Sequence, residues 1–119
     1  MTARTAIAGL AAAAFFVAPA WAAAPPVGPL PAGPTMQITT TRGELVAVAL
    51  PAQPSGRVWR LKGSIDTRVV REVSEADVGK DVVIVFRATG RGATTLSYGS
   101  TRGETAKAYG AKRFHITVR

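Results

Sequence analysis

From residue 35 onward the chain is built of short alternations of apolar and polar residues. Arg113–Arg119 is the clearest case: Phe114, Ile116 and Val118 fall on one side, and Arg113, His115, Thr117 and Arg119 on the other. Glu44–Leu50 groups Val46, Val48 and Leu50, Val82–Ala88 groups Val82, Ile84 and Phe86, and Thr94–Tyr98 alternates Thr94, Leu96 and Tyr98 with Thr95 and Ser97. Successive side chains of a strand point to opposite faces, so each series can bury one face and leave the other in water. Met36–Thr41, Arg57–Leu61 and Thr67–Val73 read as further strands, rich in Thr, Ile and Val.

The segments between these runs have the chemistry of turns. Arg42 and Gly43, Pro51–Gly56, Lys62–Ser64, Gly90–Gly92 and Gly99–Gly103 each place glycine or proline where the alternation stops. Ala106–Ala111 lacks a periodic apolar face and contains Gly110, so it reads as loop. Seven or so short strands, with no amphipathic helix after residue 35, predict an all-β fold: an antiparallel β-sandwich over residues 35–119. Thr-Arg-Gly-Glu occurs at 41–44 and again at 101–104. The similarity does not extend on either side, so the two copies read as turns of similar chemistry, not as a duplication.

Upstream the pattern is different. Residues 25–34 are dense in proline and glycine, which removes donors and fixes φ. Residues 23–34 are expected to be an extended, semi-rigid linker. Before them, Arg4 gives a positive start, Ala6–Ala18 is apolar, and Ala20 and Ala22 flank Trp21 as small residues at a cleavage site. That three-part pattern predicts a secretory signal peptide over residues 1–22, hence a periplasmic or secreted protein. The apolar run is shorter than the roughly 20 residues of a membrane-spanning helix, so no stable membrane anchor is expected.

Charge and composition narrow the chemistry. The 119-residue chain has a formal net charge of +8 and contains no cysteine and one histidine. Its positive charge predicts attraction to acidic surfaces. The absence of cysteine excludes both a lipid anchor at the cleavage site and a disulfide staple. No residue cluster has metal-ligand spacing, so no metal or cofactor is expected. His115 falls among outward strand positions, no nucleophile elbow is present, and Gly90–Gly92 precedes a strand where a phosphate loop would precede a helix. An enzyme is therefore not expected. The basic residues are scattered with few aromatics between them, so nucleic acid is not an expected partner either. A monomer is expected.

One stretch is more specific. Leu50 is followed by a loop with two prolines and a glycine, Pro51–Gly56, and then by Arg57, Val58 and Trp59. Such a loop has few conformations to lose on binding. Trp59 reads as a structural anchor beneath it, with an indole N–H that needs a partner. Gln53, Pro54, Ser55 and Gly56 ahead of Trp59, the strand Val83–Ala88 after Gly79, the entry Gly92–Leu96 and the closing strand Phe114–Val118 together resemble the chagasin family. Its members are immunoglobulin-like inhibitors of papain-like cysteine proteases, and the resemblance spans about residues 40–119. It implies that three loops enter the protease cleft: the loop of Gln53, Pro54, Ser55, Gly56 and Arg57, the loop of Gly79 and Lys80, and the loop of Arg102 and Gly103. These loops depart from the family pattern. The first is one residue shorter with Arg57 in place of an aromatic, the second keeps one glycine, and the third has Gly103 and Glu104 in place of Pro and Trp. Arg57, Arg102 and Tyr109 are the available substitute anchors. A protease inhibitor acting by occlusion is therefore the first expectation. A non-inhibitory module that binds an acidic envelope component or partner protein through a basic face is the second.

Overall fold

The alternation of Glu44–Leu50 carries directly into three dimensions. In the computed structural model, which describes residues 25–119, Val46, Val48 and Leu50 are buried and Leu45, Ala47 and Ala49 exposed. The predicted signal peptide, and the first two residues of the predicted linker, lie outside the described residues. Seven strands follow: β1 (Thr35–Thr40), β2 (Leu45–Leu50), β3 (Arg57–Lys62), β4 (Val70–Val78), β5 (Asp81–Ala88), β6 (Gly92–Arg102) and β7 (Ala108–Val118). They form a four-stranded sheet, β1-β7-β6-β3, and a three-stranded sheet, β2-β5-β4. All pairings are antiparallel except β1 with β7. This is the two-sheet sandwich that the alternation predicts, with the immunoglobulin-like form that the family resemblance implies.

The core lies between the two inner faces. Val46 stands opposite Phe86 and Val48 opposite Ile84 in one sheet, while Leu96 stands opposite Phe114 and Thr94 opposite Ile116 in the other. Phe86, Leu96 and Ile116 are fully buried, and Tyr98 meets Phe114 edge-on with ring centroids 6.3 Å apart. Burial of a large apolar side chain stabilises by about 1.5–3 kcal/mol, and with no disulfide available these rings and branched chains hold the domain.

Three expectations shift. The fourth strand begins at Val70, because the backbone N–H groups of Val69 and Val70 both donate to the Asp66 carbonyl and close a turn. It then continues to Val78, through exposed residues whose inner face is not apolar. Gly99–Gly103 is not a turn throughout: β6 runs on to Arg102, and only Gly103 adopts the left-handed conformation, at φ 58°. Ala106–Ala111, read as loop, is strand from Ala108 onward, since β7 begins there and pairs with the last third of β6.

Gly99 sits mid-strand for a packing reason. Residues 25–34 run extended, without strand pairing, along the outer face of the four-stranded sheet. A Cβ on Gly99 would come within 2.8 Å of Val27 Cγ1 and 2.9 Å of Leu30 Cδ2. Val27 is buried there. Lys62 Nζ donates to the carbonyls of Val27 and Gly28, and Arg113 to that of Pro31, at 2.7–3.2 Å. The proline-rich segment is therefore a strap held on the sheet.

Candidate functional site

The strand registers bring three connections to one end of the sandwich. Leu50, the last residue of β2, lies opposite Val82 at the start of β5, and Val78 lies opposite Asp81 across the β4–β5 turn. In the other sheet Arg57, the first residue of β3, lies opposite Arg102 at the end of β6, where β7 also begins. Residues 51–56 cross between the sheets at this end. They form a first tip, beside a second at Gly79 and Lys80 and a third at 103–107.

The first tip is braced from below. Gly56 takes φ 85°, and the Arg57 N–H donates to the Pro54 carbonyl at 3.1 Å, which closes a tight turn. Trp59 Nε1 donates to the Pro51 carbonyl at 2.8 Å, so the indole has the partner its burial requires. The Ala52 N–H donates to Asp81 Oδ1 at 3.0 Å and links the first tip to the strand beyond the second. Ser100, fully buried, donates its hydroxyl to Gln53 Oε1 at 2.6 Å. Gln53 is thus a tether facing down into the fold, while Pro54, Ser55 and Gly56 form the exposed crest.

The other two tips are less tied. Gly79, at φ 65°, and Lys80 form an exposed two-residue connection. At the third tip buried Thr101 donates its hydroxyl to the Gly103 carbonyl at 2.7 Å. The strap reaches this tip too. The Gly28 N–H donates to the Ala106 carbonyl at 2.7 Å, and Arg60 bridges the carbonyls of Pro25 and Thr105.

The electrostatic centre of this end is Tyr109. The guanidinium carbons of Arg57 and Arg102 and the ammonium of Lys107 lie 4.5, 5.4 and 5.1 Å from its ring centroid. The ring's negative face attracts each of them. Among the described residues the one salt bridge is Arg68–Asp66, at the opposite end, so these three cations have no carboxylate partner. Arg57, Arg102 and Tyr109, named from sequence as separate candidates, meet here. Lys107 joins them, although in the sequence it is one scattered cation among many. The strap's contact with the third tip was also missed, and glycine in the middle of β6 was the signal for it. The chemistry gathered at this end is a stiff, exposed crest beside an aromatic ring ringed by cations.

This is an immunoglobulin-like domain that presents three neighbouring tips from one end. The solved structure of EhICP2, a cysteine protease inhibitor from Entamoeba histolytica, is similar to it, with a TM-score of 0.55 and 17% sequence identity over 73% of this chain and 100% of that one. No protein-family model and no curated protein sequence matches the chain. The likeness is one of fold.

Proposed function

We propose that the protein is an inhibitor of papain-like cysteine proteases, working outside the cytoplasm by steric occlusion of the active-site cleft. The observation that carries this reading is the convergence of the three tips, with the first one stiffened by Pro54, Gly56 and the Trp59 anchor. A fold shared with a cysteine protease inhibitor supports it. In this mechanism the exposed crest Pro54–Gly56 sits over the enzyme's active-site cysteine without forming a bond to it. Gly79 and Lys80 flank it on one side, and Arg102, Gly103 and the Tyr109 cluster on the other. An inhibitor interface buries about 800 Å² per partner, and three adjacent tips can supply that area. Pre-bracing lowers the ordering cost of association.

The test is titration of papain and related enzymes with the purified protein. Inhibition that competes with substrate is expected. Replacing Pro54 and Gly56 together by alanine should weaken it by roughly a hundredfold or more, the scale of losing a central hot spot. Absence of inhibition at micromolar concentration across a panel of papain-like enzymes would overturn the reading. The unpaired cations around Tyr109 favour one rival, a non-inhibitory module that binds an acidic partner. That rival predicts binding that collapses with added salt and is indifferent to the Pro54 and Gly56 changes.

A further inference from the structure

On the side of the sandwich away from β1 and β2, the edge strands β3 and β4 leave a gap. A cleft of about 430 Å³ opens there, walled by Trp59 and Leu61 of β3, Glu72 and Glu75 of β4, and Ile84 and Tyr98 behind them. Its size is within the range of small-ligand sites.

The register explains why both carboxylates face it. Residues three apart on a regular strand point to opposite faces. Here β4 carries a bulge between Glu72 and Ser74: Glu72 lies opposite Phe86 and Glu75 opposite Ile84, two residues whose side chains are buried in the core. The extra residue, Val73, turns Glu75 to the same side as Glu72, which is how bulges re-aim side chains. Positions that a closed sandwich would fill with apolar residues therefore hold two acids. The surrounding segment is also unusual for so basic a chain, since Glu72, Glu75, Asp77 and Asp81 are four of its seven acidic residues.

Tyr98 is the independent observation. It is 4% exposed, lines the cleft, and its hydroxyl has no hydrogen-bond partner among the described residues. Burial first, and then the negative charges of Glu72 and Glu75, push its pKa up to about 12. The phenol therefore stays protonated and neutral, with a lone pair free to accept.

We propose that this cleft binds a primary alkylammonium, the chemistry shared by a lysine side chain and by free polyamines. The methylene stem lies against Leu61 and Ile84, the ammonium is balanced by Glu72 and Glu75 and donates to the Tyr98 hydroxyl, and the Trp59 ring adds a cation–π face. Two cations also border the cleft, Arg57 and Lys80, both from the tip end, and the Arg57 guanidinium is drawn away over Tyr109. Inward charge on an edge strand also discourages edge-to-edge pairing, but that role alone predicts no affinity for an ammonium. The proposal stands independently of protease inhibition.

The test is an amide chemical-shift titration of the protein at low salt with hexamethylenediamine and, separately, with an acetylated Ala-Lys-Ala amide. Shifts confined to the neighbourhood of Trp59, Leu61, Glu72, Glu75 and Tyr98 are expected. Glu72→Gln with Glu75→Gln, both exposed and without structural bonds, should weaken binding by roughly tenfold or more. Tyr98→Phe, which keeps the ring in the core, should weaken it less. Hexanediol, of matching length and no charge, should not bind. Tighter binding of the peptide assigns the site to a partner protein's lysine, and tighter binding of the diamine assigns it to free polyamines. No saturating shifts at millimolar ligand, equal binding of the diol, or binding unchanged by the double Gln variant would overturn the proposal.

Discussion

The same four residues, Thr-Arg-Gly-Glu, make a turn at each end of this sandwich, and the two turns are used differently. At 41–44 Gly43 takes φ 94° and its N–H donates to the Ala88 carbonyl at 2.8 Å, while the Arg42 N–H donates to the Arg119 carbonyl at 3.2 Å. Ala88 and Arg119 donate back to Glu44 and Thr40, so this turn knits the end of β5 to the end of β7 across both sheets. At 101–104 Gly103 makes the corresponding reversal, but no backbone bond crosses from it to the other sheet. Its Arg102 instead lies over Tyr109 with two other unpaired cations. The tetrapeptide specifies a reversal through its glycine, which takes a positive φ in both copies. What the reversal does depends on its neighbours: carbonyls of two strand ends in one case, open solvent and a cation-bearing ring in the other. One end closes the fold and the other leaves its tips open to solvent.

The strap is what the third tip has in place of cross-sheet bonds, and breaking it should give the largest effect. Gly99→Val would drive a branched side chain into Val27 and Leu30, whose methyls already lie within 3 Å of where a Cβ would stand. We expect a stability loss of about 1–3 kcal/mol, the usual cost of overpacking, read from the urea midpoint. The protease inhibition proposed above should fall as well, because the Gly28–Ala106 and Arg60–Thr105 bonds that steady the third tip go with the strap. Unchanged stability in Gly99→Val would mean that the strap is not held on the sheet, and the two ends would then differ through the first tip alone.

A smaller effect tests the two turns against each other. Gly43→Ala and Gly103→Ala each force a side chain into a positive-φ position, at a cost of about 1 kcal/mol. Both should lower the thermal midpoint. Only Gly103→Ala should also weaken inhibition, since Gly43 lies at the opposite end from the three tips. Equal loss of inhibition in both variants would erase the distinction between a closing end and a recognising end.

How much of this could be read from the chain follows from where each strand sits. β2, β5 and the last half of β7 were legible because each buries one face against the other sheet, so that burial alternates along Val46–Leu50, Val83–Ala88 and Phe114–Val118. β4 beyond Val73 was not legible. It is an edge, its inner positions hold Glu72 and Glu75, and the bulge breaks the period. The tip ends of β6 and β7 were hidden by Gly99 and Gly110, which read as turn residues. Gly99 is there to admit Val27, a partner far away in sequence. The stiff Pro54–Gly56 crest was visible as turn chemistry. Gln53 was assigned to the exposed loop, and its bond to buried Ser100 depends on a pairing that no local pattern encodes. The Tyr109 cluster draws its cations from β3, β6 and the loop between β6 and β7, so it exists only once the registers are set.

The smallest expected effect concerns charge at the closing end, where an acid and a base are paired, in contrast to the unpaired cations of the tips. The carboxylate of Asp66 accepts from the Arg68 side chain at 3.1 and 3.3 Å and from the Arg68 backbone N–H at 3.1 Å. The side-chain hydrogen bond, then the backbone one, holds its pKa below the ordinary 3.8. A depressed folded-state pKa means that between the two values the unfolded chain binds more protons than the native one. The stabilisation is therefore complete above 3.8 and disappears as the pH falls through the folded value. Asp66→Asn keeps an oxygen for the backbone N–H but loses the charge. The wild-type protein should be the more stable of the two near neutral pH, and the gap should shrink on acidification below 3.8 and also with added salt, because the pair is exposed. Melting curves of the two proteins across that range measure it directly. A gap that stayed constant with pH would show that the turn is held by Asp66 backbone geometry alone, through the Val69 and Val70 bonds, and that charge pairing does not help to distinguish the two ends.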